Sequence, residues 1–297
     1  MNDFLNSMQK KYLLAYLYSV LSVIAIFVYF AQPFFHHWLI FVALCIVLIC
    51  VINRASEKRK EYKVLCFEIA YKEAFEEHFE EVLVDKNPEE EVQKEVLSQI
   101  ADTNLKETAH NVESTITTTA VYKGMNVKIH EIQLFDLIQQ DKHSKPEKKL
   151  KGERWFMTVD LPKKFMGEVQ IHTFPSMPYK KWLQKLQFED VDFNRNFEVF
   201  ATSEMDGFRL LTPKIIRNFV DVADGYANRG KYYEVDMCFR DGTFAITTEE
   251  LNTMIYVPMW GKFDTEKAKK KVGKIVSWVK TTIDDYKLDS AGYITGR

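Results

Sequence analysis

Two long apolar stretches near the start of the chain constrain its fold more than any other feature. Residues 12–30 and residues 34–52 each contain nineteen residues without an Asp, Glu, Lys or Arg. An α-helix rises 1.5 Å per residue, so about twenty apolar residues cross a hydrocarbon core roughly 30 Å thick. Only Ala31, Gln32 and Pro33 separate the stretches. We therefore predict a transmembrane hairpin within residues 1–53, which makes the lipid bilayer a partner of the chain.

The positions of the basic residues predict which way the hairpin faces. Lys10 and Lys11 precede the first stretch and five Lys or Arg residues lie between Arg54 and Lys63, whereas residues 31–33 contain none. Positive residues near span ends stay on the cytoplasmic side. We therefore expect a multi-pass protein of the inner membrane with both termini in the cytoplasm. A cleaved signal peptide is disfavoured, because a second apolar stretch follows immediately.

Composition and motifs exclude several classes of function. Without Lys10, Lys11 and Asp3, the totals of 40 basic and 42 acidic residues become 38 and 41, a net charge of −3 after the hairpin. That balance argues against a nucleic-acid partner, because such domains are normally basic. Cys66 and Cys238 lack metal-ligand spacing, and the common phosphate, metalloprotease and nucleophile motifs are absent from the sequence. We predict no catalytic residue, no cofactor and no metal site.

The rest of the chain predicts an α+β protein in two further parts. A stalk helix from about Ser56 to Asp85 and a second helix from Asn87 to about Leu105 occupy residues 54–110. Residues 111–290 predict a cytoplasmic domain of antiparallel sheet with flanking helices, because strands occur in groups and helices follow them. The predicted elements of this domain are strands at 112–122, 127–134, 154–161, 167–174, 197–202, 208–211, 232–239, 243–248 and 254–258, a loop at 139–152, and helices from Thr212-Pro213 and over 264–288.

Several short motifs resemble a known family. They are Lys164-Phe165-Met166-Gly167, the run from Phe193 to Phe200, Leu211-Thr212-Pro213, and Asp241-Gly242. Together with the hairpin and stalk, they resemble bacterial membrane proteins of the domain-of-unknown-function family numbered 3137. The resemblance extends over about residues 56–288. It implies this fold and a membrane location, and it implies no activity.

Two sets of residues are candidate binding sites. Strand packing, helix capping and a turn explain most of the motif residues, but Asn194, Arg195 and Arg209 also suit a surface groove for an acidic or peptide ligand. Basic residues near the membrane suit contact with anionic lipid headgroups. This second set comprises Lys58, Arg59, Lys60, Lys267, Lys270, Lys271 and Lys274.

A membrane anchor without recognisable site chemistry predicts a protein-interaction or scaffold role with an unknown protein partner. The alternative is a membrane-tethered hydrolase that acts on a lipid or peptide at the membrane surface, with an active site assembled from scattered residues. Transport is a weaker alternative, because the two stretches contain no intramembrane charge.

Overall fold

The computed structural model describes residues 2–30, 38–86, 88–102, 111–138, 147–162, 167–173, 182–227, 235–249, 255, 257–258 and 263–289. The turn predicted at residues 31–33 lies outside these ranges. Among the residues so described, no helix is both long enough and apolar enough to cross a membrane.

Seven helices and nine strands occur in these ranges. The helices are α1 Asn2–Phe30, α2 Trp38–Glu76, α3 Glu90–Asp102, α4 Val191–Asn196, α5 Glu204–Leu210, α6 Pro213–Ala227 and α7 Thr265–Asp285. The strands are β1 Glu80–Lys86, β2 Asn111–Tyr122, β3 Met125–Ile138, β4 Glu147–Asp160, β5 Glu168–Thr173, β6 Gln184–Leu186, β7 Phe197–Ala201, β8 Val235–Arg240 and β9 Thr243–Glu249.

The chain divides into two compact units. The first comprises residues 1–70 and 255–268, and the second comprises residues 71–254 and 269–297. Within the first unit, Lys58 pairs with Glu61 at 2.5 Å on the surface of α2. Burial and the neighbouring Cys66 thiol raise the pKa of Tyr62, one turn before that cysteine.

The second unit contains a single antiparallel sheet of all nine strands. The strand order is β1-β2-β3-β4-β9-β8-β5-β7-β6. The first four strands pair consecutively, and the late hairpin β8–β9 then joins β4 to β5. The predicted α+β class, with antiparallel sheet and flanking helices, is confirmed.

Two tight turns set the register of the hairpins. Lys123-Gly124 connects β2 to β3 with φ angles of 51° and 75°, and Asp241-Gly242 connects β8 to β9 with φ angles of 51° and 82°. Two successive positive φ angles are typical of the type I′ turn, whose twist matches that of the paired strands. Both hairpins predicted from the sequence are confirmed.

One face of the sheet is packed with aromatic rings beneath the helices. Phe219 of α6 contacts Phe197 of β7 at a ring distance of 5.5 Å and Tyr286, just after α7, at 4.5 Å. Nearer the middle of the sheet, Tyr71 of α2 stacks on Trp155 of β4 at 6.4 Å. These buried rings attach α2, α6 and α7 to the sheet through apolar contacts.

Helix α3 covers part of the opposite face. Val96 packs in a buried apolar cluster with Val112, Phe156 and Cys238, among others. The Gln93 side chain accepts a hydrogen bond from the Ser114 amide and donates one to the Ser114 carbonyl, both at 2.7 Å. This face is therefore only partly apolar.

The predicted stalk helix is wrong at its end. It was expected to continue to Asp85, but α2 ends at Glu76 and residues 80–86 form β1, which pairs with β2. Glu81 has a φ of 51°, a conformation that does not fit a right-handed helix. Pairing with residues distant in sequence has outweighed the local helix propensity of this acidic segment.

Three further predictions for the α+β domain are wrong. Residues 208–211 were expected to form a strand, but helix α5 reaches Leu210, and the Ser203 hydroxyl caps its start by accepting a hydrogen bond from the Asp206 amide. Residues 147–152 were expected to be loop, yet they form the start of β4 against β3. In the segment 254–258, the described residues 255, 257 and 258 are not in a strand.

Candidate functional site

Asn194 is held by the backbone of the connection between β6 and α4. Its side-chain oxygen accepts a hydrogen bond from the Phe188 amide at 3.1 Å, and its side-chain nitrogen donates one to the Phe188 carbonyl at 2.5 Å. Asp190 caps the same helix by accepting from the Phe193 amide at 2.9 Å. These bonds occupy both functional atoms of the Asn194 amide, so its role is to shape this connection.

The two predicted arginines lie on separate helices of the surface. Arg195 is 72% exposed and pairs with Asp192 at 3.4 Å, one turn earlier on α4. Arg209 is exposed in the last turn of α5. Among the described residues, no hydrogen bond or ion pair joins Arg209 to Asn194 or Arg195, and a groove lined by all three stays a prediction.

Large apolar side chains are exposed on α4, on α5 and in the turn just before β6. We name these residues the α4–α5 patch: Val191 (69% exposed), Trp182 (65%), Met205 (60%) and Phe208 (49%). Isolated exposed apolar residues are common, but four on neighbouring short elements are unusual for a surface that faces only water.

The α4–α5 patch rests on a closely packed support. The Phe208 ring contacts Phe188 at 5.1 Å, and Phe188 contacts the fully buried Phe193 at 5.4 Å. Gly207 approaches β6 so closely that a Cβ atom there would lie 2.0 Å from Leu186 Cδ1. The exposed side chains therefore extend from a backbone that is fixed by the core.

The predicted lipid-contact residues lie on two helices. On α2, Lys58 is bonded to Glu61, while Arg59 is half-buried and Lys60 is exposed. On α7, exposed Lys267, Lys270 and Lys274 share one face, because residues three or four apart are neighbours on a helix. Lys271 is half-buried beside that face.

A row of mostly polar residues crosses the sheet on the α3 side. Each member pairs directly with a residue of the next strand, so all of them lie on one face and on one line. The row consists of Asp85 (β1), Thr117 (β2), His130 (β3), Phe156 (β4), Thr247 (β9), Asp236 (β8), His172 (β5) and Glu198 (β7).

His172 is the most connected member of this polar row. Its Nδ1 lies 3.0 Å from Asp236 Oδ1, and its Nε2 lies 3.3 Å from Gln170 Oε1. Gln170 in turn donates through Nε2 to Glu168 Oε1 at 2.6 Å, which fixes the orientation of its amide. Both ring nitrogens of His172 thus face side-chain oxygens of neighbouring residues.

His130 is a deeply buried member of the row with mainly apolar surroundings. It is 2% exposed, its ring stacks on Phe156, and its Nδ1 lies 3.0 Å from the Thr117 hydroxyl. Burial lowers the pKa of His130 to about 4. The negative charge of Glu95 raises this pKa, and the positive charge of Lys128 lowers it further. His130 is therefore neutral at physiological pH.

Three buried polar atoms of the row have no hydrogen-bond partner among the described residues: His130 Nε2, Thr247 Oγ1 and Glu198 Oε2. The other oxygen of Glu198 accepts a hydrogen bond from Lys185. Within the described ranges, no three His, Cys, Asp or Glu side chains converge in a way that could hold a metal ion. Apart from exposed Asp85 and half-buried Asp236, the row is a line of buried side chains, and its described members form no metal centre.

Sequence reasoning missed both the polar row and the α4–α5 patch. Members of the row are separated by up to 162 positions, from residue 85 to residue 247, and only the register of the sheet aligns them. Val191 and Met205 lie on helices that the sequence pattern did not indicate. A useful signal was available at Ser203, where a Ser followed three residues later by an acid is typical of a helix start.

Comparison with known proteins gives one family and one structure. Residues 149–287, from the start of β4 to just beyond α7, match the family described as "Protein of unknown function (DUF3137)", which confirms the resemblance seen in the motifs. None of the curated proteins matches the chain. The crystal structure of the mycobacterial trehalose monomycolate transport factor A, TtfA, aligns with a TM-score of 0.42 and 12% identity, over 75% of this chain and 96% of that one.

Proposed function

We propose, from the premise that residues 149–287 belong to the DUF3137 family, that this chain is a membrane-anchored scaffold whose α+β domain acts through contacts with another protein. The anchor is the hairpin formed by the apolar stretches 12–30 and 34–52. The distribution of Lys and Arg favours a cytoplasmic domain at the inner membrane.

The described parts of both apolar stretches are helical. Residues 12–30 all lie within α1, and residues 38–52 lie within α2. Helix α2 continues without a break through Lys58, Arg59 and Lys60 as far as Glu76. In this proposal these three basic residues, which follow Arg54, lie near the headgroups, where each is worth about 1 kcal/mol on an anionic surface.

The observation that carries the protein-interaction role is the α4–α5 patch. Its side chains are between 49% and 69% exposed, while the rings of Phe188 and Phe193 beneath them are packed and buried. A rigid apolar surface loses little conformational entropy when a partner covers it. The expected partner surface is an apolar protein segment that excludes water from Phe208 and Met205.

A photo-crosslinking experiment in cells tests this role. A photoreactive phenylalanine analogue is placed at Met205 or at Trp182 in the full-length chain, and at Leu83 as a control, because Leu83 is 71% exposed on the distant edge strand β1. We expect a discrete crosslinked product from the two patch positions and none from Leu83. The product should disappear when Phe208→Ser is added, and equal crosslinking from all three positions would refute the patch as a binding site.

The lysines of α7 are proposed to hold the domain against anionic lipid. In this proposal, Lys267, Lys270, Lys271 and Lys274 contact the headgroups together with the basic residues of α2. Changing these four lysines to Gln should reduce salt-sensitive association with anionic vesicles. Unchanged association would leave the hairpin as the sole membrane contact.

The His172–Asp236 pair favours the alternative of a membrane-tethered hydrolase. A carboxylate that orients an imidazole is part of many acid–base sites. Here, however, the second nitrogen of His172 faces the Gln170 amide, and a substrate or water would have to displace it. Hydrolysis of lipid esters or peptides by the purified chain, abolished by His172→Gln and retained in His130→Gln, would establish this alternative over the scaffold.

A further inference from the structure

A hollow of about 320 Å³ lies between the end of α2 and helix α7, within the second unit. Its lining includes His78, Gly273, Ser277, Lys280 and Thr281. Neither the α4–α5 patch nor the polar row contributes to it. The hollow is therefore a separate feature of the domain surface.

Gly273 stands in the interior of α7, where glycine is unfavourable. A Cβ atom built there would meet nothing within 4 Å, and its backbone has the ordinary helical sign of φ. Glycine in a helix interior costs roughly 0.5–1 kcal/mol relative to alanine. No neighbouring atom requires a glycine at this position. The missing side chain instead leaves space in the hollow, which Gly273 lines.

The carboxylates beside the hollow are already paired. Glu77 accepts from Lys269 at 2.5 Å, and this hydrogen bond lowers the pKa of Glu77. Asp284 pairs with Lys123 at 2.9 Å. These carboxylates are thus neutralised by neighbours, which makes the hollow unsuited to binding a cation.

The remaining polar groups are donors. In the described part of the chain, the side chains of Lys280, His78, Ser277 and Thr281 make no hydrogen bond or ion pair with another residue. An ammonium group, two hydroxyls and an imidazole can together donate to several oxygens of one tetrahedral anion. Exposed Lys270 and Lys274 on the same helix add positive potential nearby.

We propose that this hollow binds a phosphate group, with Lys280 as its charged partner, Ser277 and Thr281 as hydroxyl donors, and Gly273 leaving the space. The site goes beyond the proposed scaffold role and does not depend on it. The phosphate could belong to a soluble phosphate compound or to a lipid headgroup, and both sources present the same oxygens.

The test is calorimetric titration of the full-length protein in detergent with inorganic phosphate, short-chain phosphatidic acid and, as a control, short-chain phosphatidylcholine. We expect binding of at least one of the first two and none of the third. Binding of inorganic phosphate indicates a soluble ligand, and binding of phosphatidic acid alone indicates a headgroup. Absence of both overturns the proposal.

Three variants distinguish this site from general basic charge. Gly273→Leu should abolish binding by filling the hollow while improving helix propensity, so folding is retained. Lys280→Gln should weaken binding about tenfold, the effect of one lost charge-assisted hydrogen bond. Lys94→Gln, on the surface of α3 and outside the hollow, should bind as the native chain does. Native-like binding by Gly273→Leu, or an equal loss in Lys94→Gln, would show that phosphate binds elsewhere.

Discussion

The free energy of unfolding of the α+β domain should fall in mildly acidic solution because of His130. The folded state holds this imidazole neutral with a pKa of about 4, while in the unfolded chain it titrates near the ordinary value of 6.5. Below pH 6.5 the unfolded state therefore takes up a proton that the folded state resists. This contribution to stability is intact above pH 7, decreases as the pH falls through 6.5, and levels off below pH 4.

The size of the effect follows from the two pKa values. One unit of difference is worth about 1.4 kcal/mol, and integrating between pH 7 and pH 5 gives a loss of about 2 kcal/mol. For a domain of this size, that loss corresponds to a decrease in melting temperature of roughly 4–8 °C.

The measurement compares the native chain with His130→Gln at both pH values, using thermal unfolding of the full-length protein followed by near-ultraviolet circular dichroism. Gln has no proton to gain, and it offers the Thr117 hydroxyl a hydrogen-bond partner in place of the ring. Both proteins contain all the other titrating groups, so the difference between their pH-dependent changes in melting temperature is due to His130. Between pH 7 and pH 5, we expect the melting temperature of His130→Gln to decrease by roughly 4–8 °C less than that of the native chain. An identical decrease in both proteins would refute the assignment of a buried neutral imidazole.

Three further predictions concern free energies of unfolding, measured by denaturant titration of the full-length protein. Asn194→Ala should lose about 1–3 kcal/mol, because two backbone groups lose their partner, whereas Arg195→Ala on the same helix should change stability by less than about 0.5 kcal/mol. Gly207→Ala should lower the free energy of unfolding by about 1–3 kcal/mol, because the added methyl group clashes with Leu186. The loss should be smaller when Leu186→Ala is also present. If the losses of the two single variants simply add in the double variant, the clash is excluded. His172→Phe should lose about 3 kcal/mol or more, because it leaves buried acceptors without their donor, and a loss below about 1 kcal/mol would contradict the hydrogen-bond network.

The elements that could be predicted from sequence are those with local signals. Asp241-Gly242 is a turn signal confined to two residues, and the hairpin around it was predicted nearly to its ends. Thr212-Pro213 likewise predicted the start of α6, where the Ile216 amide donates to the Thr212 carbonyl. In both cases the chemistry that decides the structure lies within four residues.

The elements that could not be predicted depend on distant residues. Residues 80–86 have a helix-like composition, and only pairing with β2 makes them a strand. Asn194 was a reasonable candidate for ligand binding, since a surface amide beside arginines is indistinguishable in sequence from one that bonds the backbone. In the structure Asn194 bonds the Phe188 amide and carbonyl, six residues away, and its part in ligand binding stays a prediction.

The position of the β8–β9 hairpin has a consequence for biosynthesis. Because β9 pairs with β4 and β8 pairs with β5, the two halves of the sheet have no shared strand pairing until residues 235–249 have left the ribosome. Until then, β4 and β5 are open edges, and open edges invite pairing with other chains.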